Sequence, residues 1–180
     1  MNTNKANSII TNWLLFEKYY LGTVIEFNIG ICVADIIGIK KSLYVSEFEF
    51  KVNRSDLLRE LRIIESITRG IKRKVYSGSK FYKHREYLKN KFLSSKLAFT
   101  PNEFSFIVTE GLEDILIDYI KDTVYGAYLI KKEGGNYSII EIKKPKKFHK
   151  KKMDGVNFQR LFRKVAIENN DLRKKLYFNS

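Results

Sequence analysis

The sequence predicts an α/β fold with a mixed central sheet, part antiparallel meander and part parallel, flanked by helices. Three observations carry that reading. Strand-like runs at residues 23–29, 31–38 and 43–52 follow one another with short turns at Gly30 and at Lys40-Lys41-Ser42, and strands joined so tightly must be antiparallel. A helical stretch then precedes the apolar strand Phe104-Ser105-Phe106-Ile107-Val108, the length of connection that a parallel partner needs. Finally, 44% of the 180 residues are hydrophobic, enough for a substantial core in one domain spanning the chain, with a basic C-terminal segment from about residue 143.

Each element has its own local signal. Residues 8–20 read as a helix, with Ser8 as cap, Ile9, Ile10, Trp13, Leu14 and Tyr20 as its apolar stripe, and Gly22 as its stop. After the three strands, Ser55-Asp56 is the expected cap of a helix over 56–68, with Leu57, Leu58, Leu61 and Ile64 inward and Gly70 beyond its end. Residues 71–80 are basic and glycine-containing, the pattern of a loop, and a second helix is expected over 81–95. Gly111 precedes a short helix from Leu112 to Lys121, and Glu133-Gly134-Gly135-Asn136 is a hairpin turn between Tyr128-Leu129-Ile130 and Tyr137-Ser138-Ile139-Ile140. A basic helix near 155–175 ends the chain.

The net charge of +14 is large for this size. Excess like charge destabilises a compact state by self-repulsion, so it points to an acidic partner. The lysines come in runs (Lys143-Lys144-Pro145-Lys146-Lys147, then Lys150-Lys151-Lys152), not as one stripe of an amphipathic helix. That pattern favours phosphate over lipid, so nucleic acid ranks ahead of an anionic membrane; a solvated, solubilising tail is the plain alternative. The single cysteine, Cys32, lies between Ile31 and Val33 and reads as a small core residue, not a nucleophile. The apolar stretch Ile29 to Ile39 is broken by Asp35, and the first residues lack a signal-peptide core, so a cytoplasmic protein without a membrane span is expected.

Acidic residues inside the predicted strands are the main chemical anomaly. Asp35 interrupts the aliphatic run of its strand, fourteen residues before Glu49-Phe50-Lys51 on the next, and Glu26 repeats the anomaly in Val24-Ile25-Glu26-Phe27. Side chains alternate along a strand, so Glu49 and Lys51 share a face, with Phe50 on the other. A hairpin turn near Ile39-Lys40-Lys41-Ser42 would bring Asp35 alongside them. A buried carboxylate is costly unless paired or bound to metal. Two such groups can hold a hard divalent ion through oxygen, with an ammonium beside the attacking water or scissile phosphate. The plain alternative for Glu-x-Lys is a solvated outer sheet face.

These elements resemble the PD-(D/E)xK nuclease superfamily, the restriction-endonuclease-like fold. The match rests on helix 8–20, strand 23–29, Asp35 on the second strand, Glu49-Phe50-Lys51 on the third and the helix from Asp56. It extends toward small members, such as MmcB-like DNA repair proteins and phage or mobile-element proteins, through Ser55-Asp56, Lys83-His84-Arg85-Glu86-Tyr87 and Phe104-Ser105-Phe106-Ile107-Val108 in that order. It covers roughly residues 8–145. The proline often found before the aspartate is Ala34 here.

The resemblance implies a Mg2+- or Mn2+-dependent DNA endonuclease, acting in DNA repair or in a phage or mobile element. Asp35, Glu49 and the Phe50 carbonyl would be metal ligands, Lys51 the catalytic lysine, and Glu26 a further acid, with Glu17 competing for that place. Many members dimerise to cut both strands, which makes a homodimer a partner arrangement to expect. A non-catalytic nucleic-acid-binding module on the same fold is the alternative, and a membrane-surface protein a third.

Other groups compete for attention. Glu141-Ile142-Lys143 is a second Glu-x-Lys, but no aspartate precedes it on the strand Gly126 to Lys131. Glu47 shares the face of Glu49 and is either a further ligand or a surface charge. Lys83, His84 and Tyr87 are neighbours on one helical surface; they are candidate contacts to nucleic acid, or near the metal, or a polar face with Tyr87 in the core. Lys146, Lys147, Lys150 and Lys151 are the other candidate phosphate contacts, with Lys72, Arg73 and Lys74 as substitutes. Two histidines and no cysteine partner argue against zinc.

Overall fold

The computed structural model describes residues 1–30, 32–70, 78–89 and 100–178, with side chains described through residue 167. Ile31, the basic segment with Lys72, Arg73 and Lys74, and the end of the helix expected over 81–95 lie outside the described residues. Six strands form one sheet in the order β1 (Gly22–Asn28), β2 (Val33–Ile39), β3 (Val45–Lys51), β4 (Glu103–Thr109), β5 (Gly126–Glu133) and β6 (Asn136–Lys143). β1, β2 and β3 are an antiparallel meander, β4 joins β3 in parallel, β5 joins β4 in parallel, and β6 closes antiparallel on β5. The mixed α/β sheet is therefore as the sequence predicts.

Helices cover both faces. α1 (Thr3–Asn12), prolonged by a π-helical turn over Trp13–Glu17, packs Ile10, Trp13 and Leu14 against Ile36, Phe48, Ile107 and Tyr128. The rings of Trp13 and Tyr128 meet edge-on, 5.0 Å between centroids. This helix begins five residues before the predicted start, because Asn2, not Ser8, accepts the Lys5 amide and caps it.

The other face carries α2 (Arg54–Thr68), α3 (Ser79–Lys89), α4 (Glu113–Ile120) and α5 (Gly155–Phe178). Here Leu57, Leu61 and Ile64 of α2 join Val24, Ile37, Val45, Phe104, Phe106 and Tyr125 in the larger core. The cap of α2 is Asn53, whose side chain accepts the amides of Ser55 and Asp56. Ser55-Asp56 thus lie in the first turn, after Arg54, instead of forming the cap, and Gly70, at φ +66°, ends the turn as a glycine can.

The strand alternation decides what β3 presents. Phe48 points to the α1 side, so Val45, Glu47, Glu49 and Lys51 all point under α2 and α3. Relative exposures of 0% for Glu47, 2% for Glu49 and 4% for Lys51 rule out the solvated-face alternative.

Backbone approach is tight where β5 begins. A Cβ built on Gly126 would stand 2.5 Å from Ser105 Oγ and 2.8 Å from Pro145 Cδ. Gly126→Ala is therefore expected to cost about 1–3 kcal/mol through overpacking, read as a lower urea midpoint at unchanged slope.

Candidate functional site

The register of the meander assembles the site. Ile36 pairs with Phe48 and Ile37 with Glu47, so one step further places Asp35 abreast of Glu49. The pairing ends there, and the Phe50 amide donates to Asp35 Oδ2 at 3.1 Å. A strand residue's N–H and C=O point to the same edge, so the Phe50 carbonyl shares the edge that Asp35 occupies. Glu26 stands level with Asp35 on β1, between the pairs Ile25–Ile36 and Phe27–Ala34, with φ +51°. A cavity of about 270 Å³ opens among them, lined by Glu26, Asp35, Glu49, Lys51, Asp56 and Lys80, with Phe50 also on its wall. Glu17 lines a different cavity, with Tyr137 and Ile139. Of the two competing acids, Glu26 is the one brought to the site.

Behind the cavity lies a buried ionic network. Glu49 Oε1 accepts from Lys51 and Lys80, both at 2.7 Å, and Oε2 accepts from Lys83 at 2.9 Å. Glu60 of α2 takes Lys51 at 2.9 Å and Lys80 at 2.6 Å on Oε2, and His84 at 2.8 Å on Oε1. Glu47 accepts from Lys83 at 3.1 Å and from the Tyr87 hydroxyl at 2.6 Å. Among the described residues Glu47, Glu49 and Glu60 thus face Lys51, Lys80 and Lys83, with Asp56 a further 4.0 Å partner of Lys51, and burial raises Glu47 toward its neutral form. Asp35 lies beside this network without an ion pair of its own among the described residues.

The protonation equilibria follow. Burial, and then the charge of Glu49, push Asp35 up to about 6. Burial also acts to raise Glu49, but Lys83, Lys51 and Lys80 outweigh it and hold that carboxyl down at about 2. Burial would discharge Lys51, yet Glu49 and Glu60 keep it above its ordinary value. His84 is lowered by burial. Glu60, held well below its usual range against burial by His84 and Lys83, can only accept. Neutral His84 therefore donates from Nε2 to Glu60 and accepts from the Tyr125 hydroxyl, 2.9 Å from Nδ1.

Several sequence expectations need correction. Lys83, His84 and Tyr87 are 1%, 0% and 0% exposed and cannot form a nucleic-acid-contacting surface. They do share a helical stripe, but it faces the acids of β3. Glu47 is neither a surface charge nor on the cavity wall. The second Glu-x-Lys does not form a site: Glu141 is exposed and takes the Tyr128 hydroxyl, while Lys143 donates to the carbonyls of Thr123 and Tyr125. Cys32 is half-buried, its thiol pushed up to about 12 by burial, consistent with an inert residue.

Lys146, Lys147, Lys150 and Lys151 are exposed, as a phosphate contact requires. Their segment is strapped across the sheet by Lys146 N to Val124 O, Phe148 N to Asn102 O and Met153 N to Leu43 O. That is the end of β3 away from Glu49 and Lys51, roughly 15–20 Å along the strand at ~3.3 Å per residue.

Two central residues went unread in the sequence, Glu60 and Lys80. The signal for Glu60 was a carboxylate inside the stripe Leu57–Leu61–Ile64. For Lys80 it was the spacing 80, 83, 84, 87, one face of a helix.

The donor chemistry suits a hard cation. Among the described residues no group of three or more His, Cys, Asp or Glu side chains can hold an ion by itself. An ion here would rest on Asp35, Glu49 and the Phe50 carbonyl, the sparse oxygen set on which magnesium, which keeps several waters, commonly relies.

Asp35 also makes a stability test. A carboxyl raised in the fold stabilises it in the protonated form, fully below the ordinary carboxylate value, and that gain is lost as pH rises through about 6. Asp35→Asn is therefore expected to be more stable than the parent by about 1–2 kcal/mol at pH 8, after discounting for partial solvation. The difference should vanish near pH 4, as urea unfolding at the two pH values would show.

Comparison with known proteins adds the fold and nothing finer. No family model matches the chain, and no curated protein matches it. Among solved structures it is similar to a protein of unknown function from Silicibacter pomeroyi, with a TM-score of 0.52 at 13% identity, over 93% of this chain and 86% of that one.

Proposed function

We propose that this chain is a divalent-metal-dependent nuclease of the PD-(D/E)xK type, a DNA endonuclease hydrolysing phosphodiester bonds. The observation that carries the reading is the convergence of Asp35, Glu49, Phe50 and Lys51 on one open cavity, with Glu26 on its rim. Asp35 and Glu49 have the charge and oxygen chemistry to hold Mg2+ or Mn2+. Such an ion supplies Lewis acidity toward the phosphate and lowers the pKa of water. Lys51 contributes charge. With its ammonium held by Glu49 and Glu60, it stays protonated at neutral pH, so its role is electrostatic stabilisation of the developing phosphorane, not proton abstraction. Glu26, exposed on the rim, is placed to act through water. A role in DNA repair or in a phage or mobile element, and pairing of two copies to cut both strands, accompany this reading as proposals.

A second reading has its own support. Among the described residues the side-chain hydrogen bonds to Glu49 all come from ammonium groups, so this carboxylate is compensated without an ion, as a binding module on the same fold would require. No described helix is long and apolar enough to cross a membrane.

Two experiments separate these readings. Lys51→Ala should reduce metal-dependent cleavage about 100-fold or more, the effect of losing one oxyanion-type donor. Asp35→Asn should abolish cleavage and leave DNA binding intact; cleavage at the parental rate in both variants would overturn the assigned site, whereas DNA binding by the parent with no metal-dependent cleavage would leave the binding module. Charge reversal at Lys146, Lys147, Lys150 and Lys151 should flatten the salt dependence of DNA affinity, each lost phosphate contact removing about 0.9 from the log–log slope. An unchanged slope, measured by anisotropy from 50 to 200 mM salt, would move the contacts elsewhere.

A further inference from the structure

Lys80 and Lys51 hold the same two oxygens. Each ammonium lies 2.6–2.9 Å from both Glu49 Oε1 and Glu60 Oε2, so two positive charges bracket one oxygen pair. Their surroundings differ. The side chains of Lys51 and Lys83 are 4% and 1% exposed, whereas that of Lys80 is 39% exposed and lines the cavity. Lys80 sits in the first turn of α3 on a flexible four-carbon stem.

From this we propose that Lys80 is a resident counter-ion of Glu49, which a divalent cation entering between Asp35 and Glu49 displaces into solvent. The proposal rests on the assignment of Asp35 and Glu49 as the ion-holding pair. Both Glu49 oxygens are engaged, and Oε1, which takes Lys51 and Lys80 together while Oε2 takes Lys83, has both its lone pairs filled, so an ion reaching Oε1 must displace one of the two. Withdrawing Lys51 or Lys83 would strand a buried charge, the costly way to break an ion pair. Withdrawing Lys80 strands none. Its ammonium reaches water, Glu49 keeps Lys51 and Lys83, and Glu60 keeps Lys51 and His84. The lysine thereby sets the threshold concentration at which an ion takes the site, and in the ion's absence it shields Glu49 from its repulsion with Asp35.

Calorimetric titration of the full chain with Mn2+, without nucleic acid, tests this. Removing the competing charge in Lys80→Met should tighten Mn2+ binding about tenfold or more, well within what one unit charge at such a separation can do. Lys80→Arg, which keeps the charge, should stay within about threefold of the parent. If Lys80→Met fails to fold, Lys80→Gln serves, because its amide still donates to Glu49 without a charge. Asp35→Asn separates the two levels of the argument. If it abolishes Mn2+ binding while Lys80→Met and Lys80→Gln leave the affinity unchanged, the displacement model is overturned and the ion site stands. Equal tightening by arginine and methionine would likewise overturn it. Mn2+ binding that is indifferent to Asp35→Asn removes the ion site itself, whatever Lys80 does.

Discussion

The Glu49 carboxylate is where the sheet and the helices above it are joined electrically. It comes from the middle of the sheet, on a strand paired on both sides, and its two oxygens take ammonium groups from β3 and from α3. Burying a carboxylate among aliphatic and aromatic neighbours is unfavourable by several kcal/mol unless cations follow it in. Lys83 and Lys51 follow it, and their positions require Glu47 and Glu60 in turn. The seating of α2 and α3 is therefore specified by charge pairing as well as by the apolar contacts of Leu57, Leu61 and Tyr87. A slide of either helix by one turn would leave an ion without its partner.

Around this constraint the aromatic residues serve two purposes. Phe104, Phe106, Tyr125 and Tyr87 enclose the ions and exclude water, with Phe104 and Tyr125 rings 4.7 Å apart. The hydroxyls of Tyr125 and Tyr87 meanwhile satisfy His84 and Glu47. Water exclusion strengthens every charge interaction inside, and Asp35, at the edge of the enclosure and without an ion pair among the described residues, is raised by burial and by Glu49 to about 6.

The sheet was legible because its signals are local: short turns, alternation, and a helix-length connection before Phe104. The pair Asp35 and Glu49-x-Lys51 was legible for the same reason, since antiparallel pairing with a known turn fixes which residues stand abreast. What lies across the interface was not. Whether Lys83 faces DNA or Glu49 depends on which side of α3 meets the sheet, and Lys-His-x-x-Tyr reads equally as a polar outer stripe or a buried one. Glu60 illustrates the same limit, since a glutamate within an apolar helical stripe has meaning only once its lysine and histidine partners are in place. The misplaced caps at Ser8 and Ser55 have a simpler origin, because Asn2 and Asn53 serve the same purpose a few residues earlier and displace the helix starts.

The strap that carries the basic cluster has a consequence for how this surface can change. The Asn102 side chain takes the Val45 amide and donates to the carbonyls of His149 and Lys151, backbone bonds run from Lys146, Phe148 and Met153, and the His149 ring meets the carbonyls of Thr100 and Pro101. Of the lysines, Lys147 alone among the described residues of this segment adds a ring contact, its ammonium 3.5 Å from the centre of Tyr44. The fold therefore holds the segment mainly by peptide groups, and arginine for lysine at Lys146, Lys150 or Lys151 would leave the path of the chain untouched. Charge at those three positions is interchangeable, whereas Asn102, uncharged and 1% exposed, is not.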